Sequence, residues 1–210
     1  MKTANQLKQK VKVLNSLLYL IILAIFYSCN NKSKTEFYLP SEWEPQSGVI
    51  VGGLDDAAAF ELITQLSKQT QVYCTVVDSM KRAYSNKLTD AGANLDNIHL
   101  ILSSTEFSYA ERDGLLFMKN GNGEKQLVNF SWNCYGWYFE PEYKNYIEQD
   151  KAKRELFTKL HSSTFPFPVI SSNMVNEGGA IETNGKGTII QVESVNMQRN
   201  PGMTKEAQET

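Results

Sequence analysis

The chain has 210 residues, 41% of them hydrophobic, and a formal net charge of −2. That composition suits one globular domain and excludes a disordered chain. It carries no basic stripe, which excludes nucleic acid as a partner.

In chain order, the N-terminus reads first as an export signal. Lys2, Lys8, Lys10 and Lys12 form a basic region, and the apolar run "VLNSLLYLIILAIFYSC" follows. Its apolar core is short for a transmembrane helix and fits a secretory signal over residues 1–28. Ser28-Cys29 followed by "NNKSK" resembles a bacterial lipoprotein cleavage site, although Phe26 and Tyr27 are bulkier than the usual residues there. Two outcomes stay open: an uncleaved anchor, or a lipidated Cys29 that tethers an exported protein to a cell-envelope membrane through residues 29–36. Only Cys74 and Cys134 remain beyond that point, too few for a disulfide framework.

From residue 37 the pattern becomes globular. "SGVIVGG" is a short apolar run bounded by glycines and predicts a buried strand. Asp55 is placed to cap a helix in which Ala59, Leu62, Ile63 and Leu66 recur at helical spacing. "QVYCTVV" predicts the next strand, with Cys74 as a core residue. Ser79 is placed to cap a second helix carrying Met80, Tyr84, Leu88 and Ala91 on one face, and Gly92 stops it. "NIHLIL" gives a third strand, so this part reads β-α-β-α-β, the order of crossover units. "LLFMKNGNGEKQLVNF" then predicts a hairpin around "NGNG". "YKNYIEQDKAKRELFTKLH" predicts a helix with charges on its outer face. "FPFPVI" opens with prolines and is at best the entry to a strand. "GGAIETNGKGTIIQVE" predicts a second hairpin around Asn184-Gly185. Thr204 is a good N-cap with Glu206 in the first turn, but the sequence ends at Thr210, well short of the roughly 12–15 residues an isolated helix needs.

Four clusters could carry chemistry: "PSEWEPQSGVIV", "YAERDGLLF", "NEGGAIETNGKGT" and "QRNPGMTKE". Singly, each reads as turn residues or surface charge. In order, they resemble the agmatine deiminase family, which includes the Porphyromonas-type peptidylarginine deiminases. The matching residues are Pro40, Glu42, Trp43, Glu44 and Pro45; Tyr109, Arg112 and Asp113; Asn129, Phe130, Asn133 and Gly136; Glu177, Gly178 and Gly179; Asn184, Gly185, Gly187 and Thr188; and Arg199, Asn200 and Pro201.

The resemblance covers about residues 37–210. It implies an α/β fold: part of a five-unit, pentein-like α/β propeller, with about two and a half ββαβ units present. It also implies hydrolysis of a guanidinium C–N bond to a ureido group and ammonia, with agmatine giving N-carbamoylputrescine and peptidyl-arginine as the alternative substrate. Neither a metal nor another cofactor is implied. Carboxylates hold a planar guanidinium bidentately, a cysteine thiolate attacks its carbon, and a histidine moves the protons. Asp113 and Glu177, with Gly178 and Gly179 letting backbone approach, are the substrate-binding residues the resemblance implies. Gly114 follows Asp113 directly, where the family has one residue and then glycine, and Glu111 permits a gapless alignment in which Asp113 is not the equivalent residue. The family's Gly-His-x-Asp segment and late cysteine have no match, so no catalytic residue is assigned. Cys134, His99 and His161 read as structural. The expectation is therefore the N-terminal half of a deiminase, inactive alone, whose other half lies on a possible partner chain. A guanidinium-binding lipoprotein and a split-gene fragment are the alternatives.

Overall fold

The structure is a computed structural model, and it describes residues 35–53, 56–105, 110–139 and 141–209. The side chains of Glu111, Asp113 and residues 137–139 lie outside the description. So do the expected signal over residues 1–28, the Cys29 anchor and the Asp55 cap. Among the described residues no helix is long and apolar enough to cross a membrane. Phe37–Lys119 and Glu124–Thr210 form the compact unit described below.

The first sheet is built from β1 (Gly48–Val51), β2 (Gln71–Val77) and β3 (Ile98–Ser103), all parallel and in that order. Two helices make the crossovers, α1 (Ala57–Leu66) and α2 (Lys81–Asp90). Asp56 caps α1, its side chain accepting from Ala58 N at 2.7 Å. Phe60, Ile63 and Leu66 of α1 pack on the sheet at three-residue spacing, whereas Leu62, expected inside, stands 49% exposed. A 3-10 turn at Asp78–Met80 precedes α2, so Ser79 makes no cap and Met80 is exposed. Tyr84 and Leu88 fill the core as expected, together with Val51, Val72, Cys74 and Val76.

The second sheet has the order β4-β5-β6. Here β4 (Leu116–Lys119) and β5 (Lys125–Ser131) form the antiparallel hairpin, and β6 (Val169–Val175) lies parallel to β5. The connection is α4 (Lys144–Thr164), so β4-β5-α4-β6 is a ββαβ unit; the short α3 (Ala110–Asp113) precedes β4. Beyond its proline-flanked entry β6 runs for seven residues, paired to β5 even through Ser171 and Ser172. A third pair follows, β7 (Glu182–Thr183) antiparallel to β8 (Ile189–Ile190), then α5 (Glu193–Arg199) and α6 (Lys205–Gln208). Thr204 caps α6, accepting from Ala207 N at 3.2 Å.

The architecture is therefore α/β, but among the described residues the ββαβ order is complete once. The segment ahead of β1, where a further strand would lie, pairs with β4 instead, Tyr38 bridging Lys119. The Pro40–Pro45 stretch works as a clasp. Lys119 Nζ sits 2.5 Å from Glu44 Oε2, and Thr183 Oγ1 donates to the Leu39 carbonyl at 3.3 Å.

Candidate active site

The site is built where β5 ends. The β5–β6 register jumps after Phe130, from Phe130↔Ser172 to Ser131↔Val175. Such an irregularity re-aims the side chains that follow it, and Trp132 lies next in the chain, buried. The chain then turns sharply, with Cys134 at φ 53°, Tyr135 at φ 60° and Gly136 at φ 83°. Two non-glycine residues in the left-handed region cost roughly 1–3 kcal/mol each and persist only where their surroundings hold them. Asn133 supplies much of that hold. Its Oδ1 accepts from Gly136 N at 3.0 Å, and its Nδ2 donates to the Arg199 carbonyl at 2.7 Å. Gly136 is obligatory: a β-carbon there would come 3.1 Å from the Gln198 carbonyl oxygen at an already unfavourable φ.

Helix α4 supplies the buried charges. Ile147, Asp150, Arg154, Phe157 and His161 alternate three- and four-residue steps and form its inward face. Asp150 accepts three donors: Trp132 Nε1 at 2.7 Å, Arg112 Nη2 at 3.2 Å and the Cys134 thiol at 3.2 Å. Arg154 donates to the carbonyls of Arg112, Phe130 and Asn176. The guanidinium carbons of Arg112, Arg154 and Arg199 lie 5.7, 5.2 and 5.9 Å from the Trp132 ring centre, all within cation–π range.

Glu177 follows the buried Asn176, whose Oδ1 accepts from Glu177 N at 2.9 Å. The Glu177 carboxylate pairs with Arg199 at 2.8 Å, both side chains about nine-tenths buried. Gly178 and Gly179 lie in the 3-10 turn Gly178–Ala180, which packs against the backbone of α3. The two segments singled out in the sequence thus meet at the backbone level, although the Asp113 side chain is outside the description. A β-carbon on Gly114 would collide with the Ala110 carbonyl oxygen. Glycine directly after Asp113 is what lets α3 close here. Arg112, which reads singly as surface charge, is buried against Asp150.

Asn200 acts as a substitute strand partner: its Oδ1 accepts from Val175 N at 2.7 Å and its Nδ2 donates to Val175 O at 3.0 Å. Beside it opens a cleft of about 310 Å³, lined by Asn133, Asn173, Val175, Arg199, Asn200, Pro201 and Met203.

Neither described cysteine is suited to nucleophilic attack. Burial pushes the Cys74 thiol up to about 12; burial, then the bond to Asp150, does the same to Cys134. His161 is fully buried, and desolvation pushes it down to about 4. His99 stacks on Tyr73 with ring centres 4.5 Å apart, and its Nε2 lies 2.5 Å from Gln71 Oε1. Among the described residues no three His, Cys, Asp or Glu side chains gather to hold a metal ion.

The sequence model of the Porphyromonas-type peptidyl-arginine deiminases matches residues 38–210. The chain belongs to this family. A protein of Selenomonas ruminantium described as a putative agmatine deiminase is 26% identical over 184 residues, 81% of this chain and 48% of its own. The agmatine deiminase of Ectopseudomonas mendocina is 26% identical over 183 residues, with the same two shares. The solved agmatine deiminase of Enterococcus faecalis has a TM-score of 0.64 at 21% identity, covering 82% of this chain and 48% of its own. At that identity the likeness shows the α/β fold. The chain spans about half the length of the curated relatives it matches.

Proposed function

We propose that this chain supplies the guanidinium-holding half of a guanidino-group deiminase, converting agmatine to N-carbamoylputrescine and ammonia. The observation that carries the reading is the meeting of the Gly178–Ala180 turn, just after Glu177, with α3 of the Arg112-Asp113 segment. A carboxylate at that point is the group a planar guanidinium needs. The similarity to agmatine deiminases of about twice the matched length supports it. We infer further that β4-β5-α4-β6 is one of five such units around a central pocket.

The nucleophile and the proton-transfer histidine come from outside the described residues. Cys74 and Cys134 are held as thiols, and His161 is buried in apolar contacts. Losing either group typically costs several orders of magnitude in rate. Purified chain incubated with agmatine is therefore expected to give no ureido product or ammonia above background. Adding a chain that corresponds to the other half of the relatives should restore turnover, and Asp113→Ala should then reduce it. Turnover by the 210-residue chain alone would contradict this and return Cys134 and His161 to consideration. The family match favours peptidyl-arginine as the second substrate, so an arginine-containing peptide belongs in the same assay.

A further inference from the structure

Arg199 is placed in a way that a purely structural arginine does not require. Its guanidinium meets the Glu177 carboxylate at 2.8 Å, with its carbon 5.1 Å from the Tyr135 ring centre and 5.9 Å from that of Trp132. The two rings stand edge to face, 4.8 Å apart and 79° between planes. A carboxylate combined with aromatic faces is how proteins recognise a planar cation. The fit is incomplete, because buried Nη1 of Arg199 has no hydrogen-bond partner among the described residues. Burying an unmet donor is unfavourable, so the contact holds Arg199 less firmly than a two-armed pair would. Arg199 also lines the 310 Å³ cleft, which gives the side chain somewhere to go when it leaves.

We propose that Trp132, Tyr135 and Glu177 form a guanidinium-recognition cage and that Arg199 is its resident occupant, standing where a substrate guanidinium is received. The inference rests on the reading of Glu177 as a substrate-holding carboxylate. It adds that the site is filled by the chain's own guanidinium until an external one displaces it. The cage draws on three separate stretches, Trp132 with Tyr135, Glu177, and Arg199, which only the fold brings together.

Chemical rescue tests this directly. In the full 210-residue chain, purified in mild detergent, Arg199→Ala leaves Glu177 buried and unpaired, lowering Tm by roughly 10 °C. Methylguanidinium at low millimolar concentration should restore several degrees, while methylammonium and sodium chloride at the same concentration should not. The wild type, in which the added guanidinium must first displace Arg199, should respond far less. Arg199→Lys should not respond, because its ammonium already neutralises Glu177. Combining Arg199→Ala with Glu177→Gln should abolish the rescue. Arg199→Gln keeps polar volume and carries the same readout should Arg199→Ala fail to fold. Equal responses to all three additives, or no response in either variant, would overturn the proposal. No arm uses agmatine turnover: rescue without deiminase activity in the complemented protein upholds the cage and counts against the enzyme reading, and activity without rescue does the reverse.

Discussion

His161 has no solvent exposure, and the rings of Phe157 and Phe165 lie beside it. Desolvation holds its pKa near 4, against about 6.5 for an unfolded chain. Between those values the unfolded state takes up a proton that the native state refuses. The stabilising contribution is therefore complete above about pH 6.5 and is lost as pH falls toward 4, amounting to roughly 3 kcal/mol. Urea midpoints of the wild type should fall over that window. His161→Phe, which removes the titration but keeps a ring there, should flatten the acid limb; an unchanged slope would mean that other groups produce it. Glu44, held below the usual carboxylate range first by its bond to Lys119, contributes stability that is lost as pH falls below the ordinary carboxylate value.

At the scale of elements, α4 does most to position the site. Its buried stripe includes two charges, Asp150 and Arg154, and Asp150 alone gathers Trp132, Arg112 and Cys134. Asp150→Asn keeps the volume but removes the charge that the buried Arg112 pairs with, and is expected to cost about 3 kcal/mol or more. A loss under about 1 kcal/mol in equilibrium unfolding would show that the network contributes little. These charges were hidden in the sequence because a charge-rich helix reads as solvent-facing. The signal present was spacing: Asp150 and Arg154 fall on the same stripe as Ile147, Phe157 and His161. The strands and crossovers were legible because apolar periodicity follows directly from burial. The exposed Leu62 and the polar stretch of β6 were not. Which of two neighbouring apolar residues faces the sheet, and whether Ser171 and Ser172 pair with β5, is decided by tertiary contacts that a single strand does not carry.

For the whole molecule, the order of motifs revealed the family even though no single motif would have. The Leu39–Pro45 segment, far from β7 in the chain, reaches β4 where Glu44 pairs with Lys119 and reaches β7 where the Leu39 carbonyl accepts from Thr183. That clasp gives the motif a structural role besides any contact with substrate. Trp43 itself stands 75% exposed, and Ile189, Ile190 and Val192 are exposed around β8, so apolar surface of this hairpin stays open among the described residues. The measurement that bears most directly on a guanidinium site at Glu177 is backbone-amide NMR of the full chain titrated with agmatine and, separately, with putrescine, which has the amines without the guanidinium. Agmatine should give saturable shifts concentrated at residues 110–114, 132–136 and 176–180, larger in Arg199→Ala than in the wild type, and putrescine should not. Identical shifts with both compounds, or agmatine-specific shifts confined to other surfaces, would contradict a guanidinium site in this half of the fold.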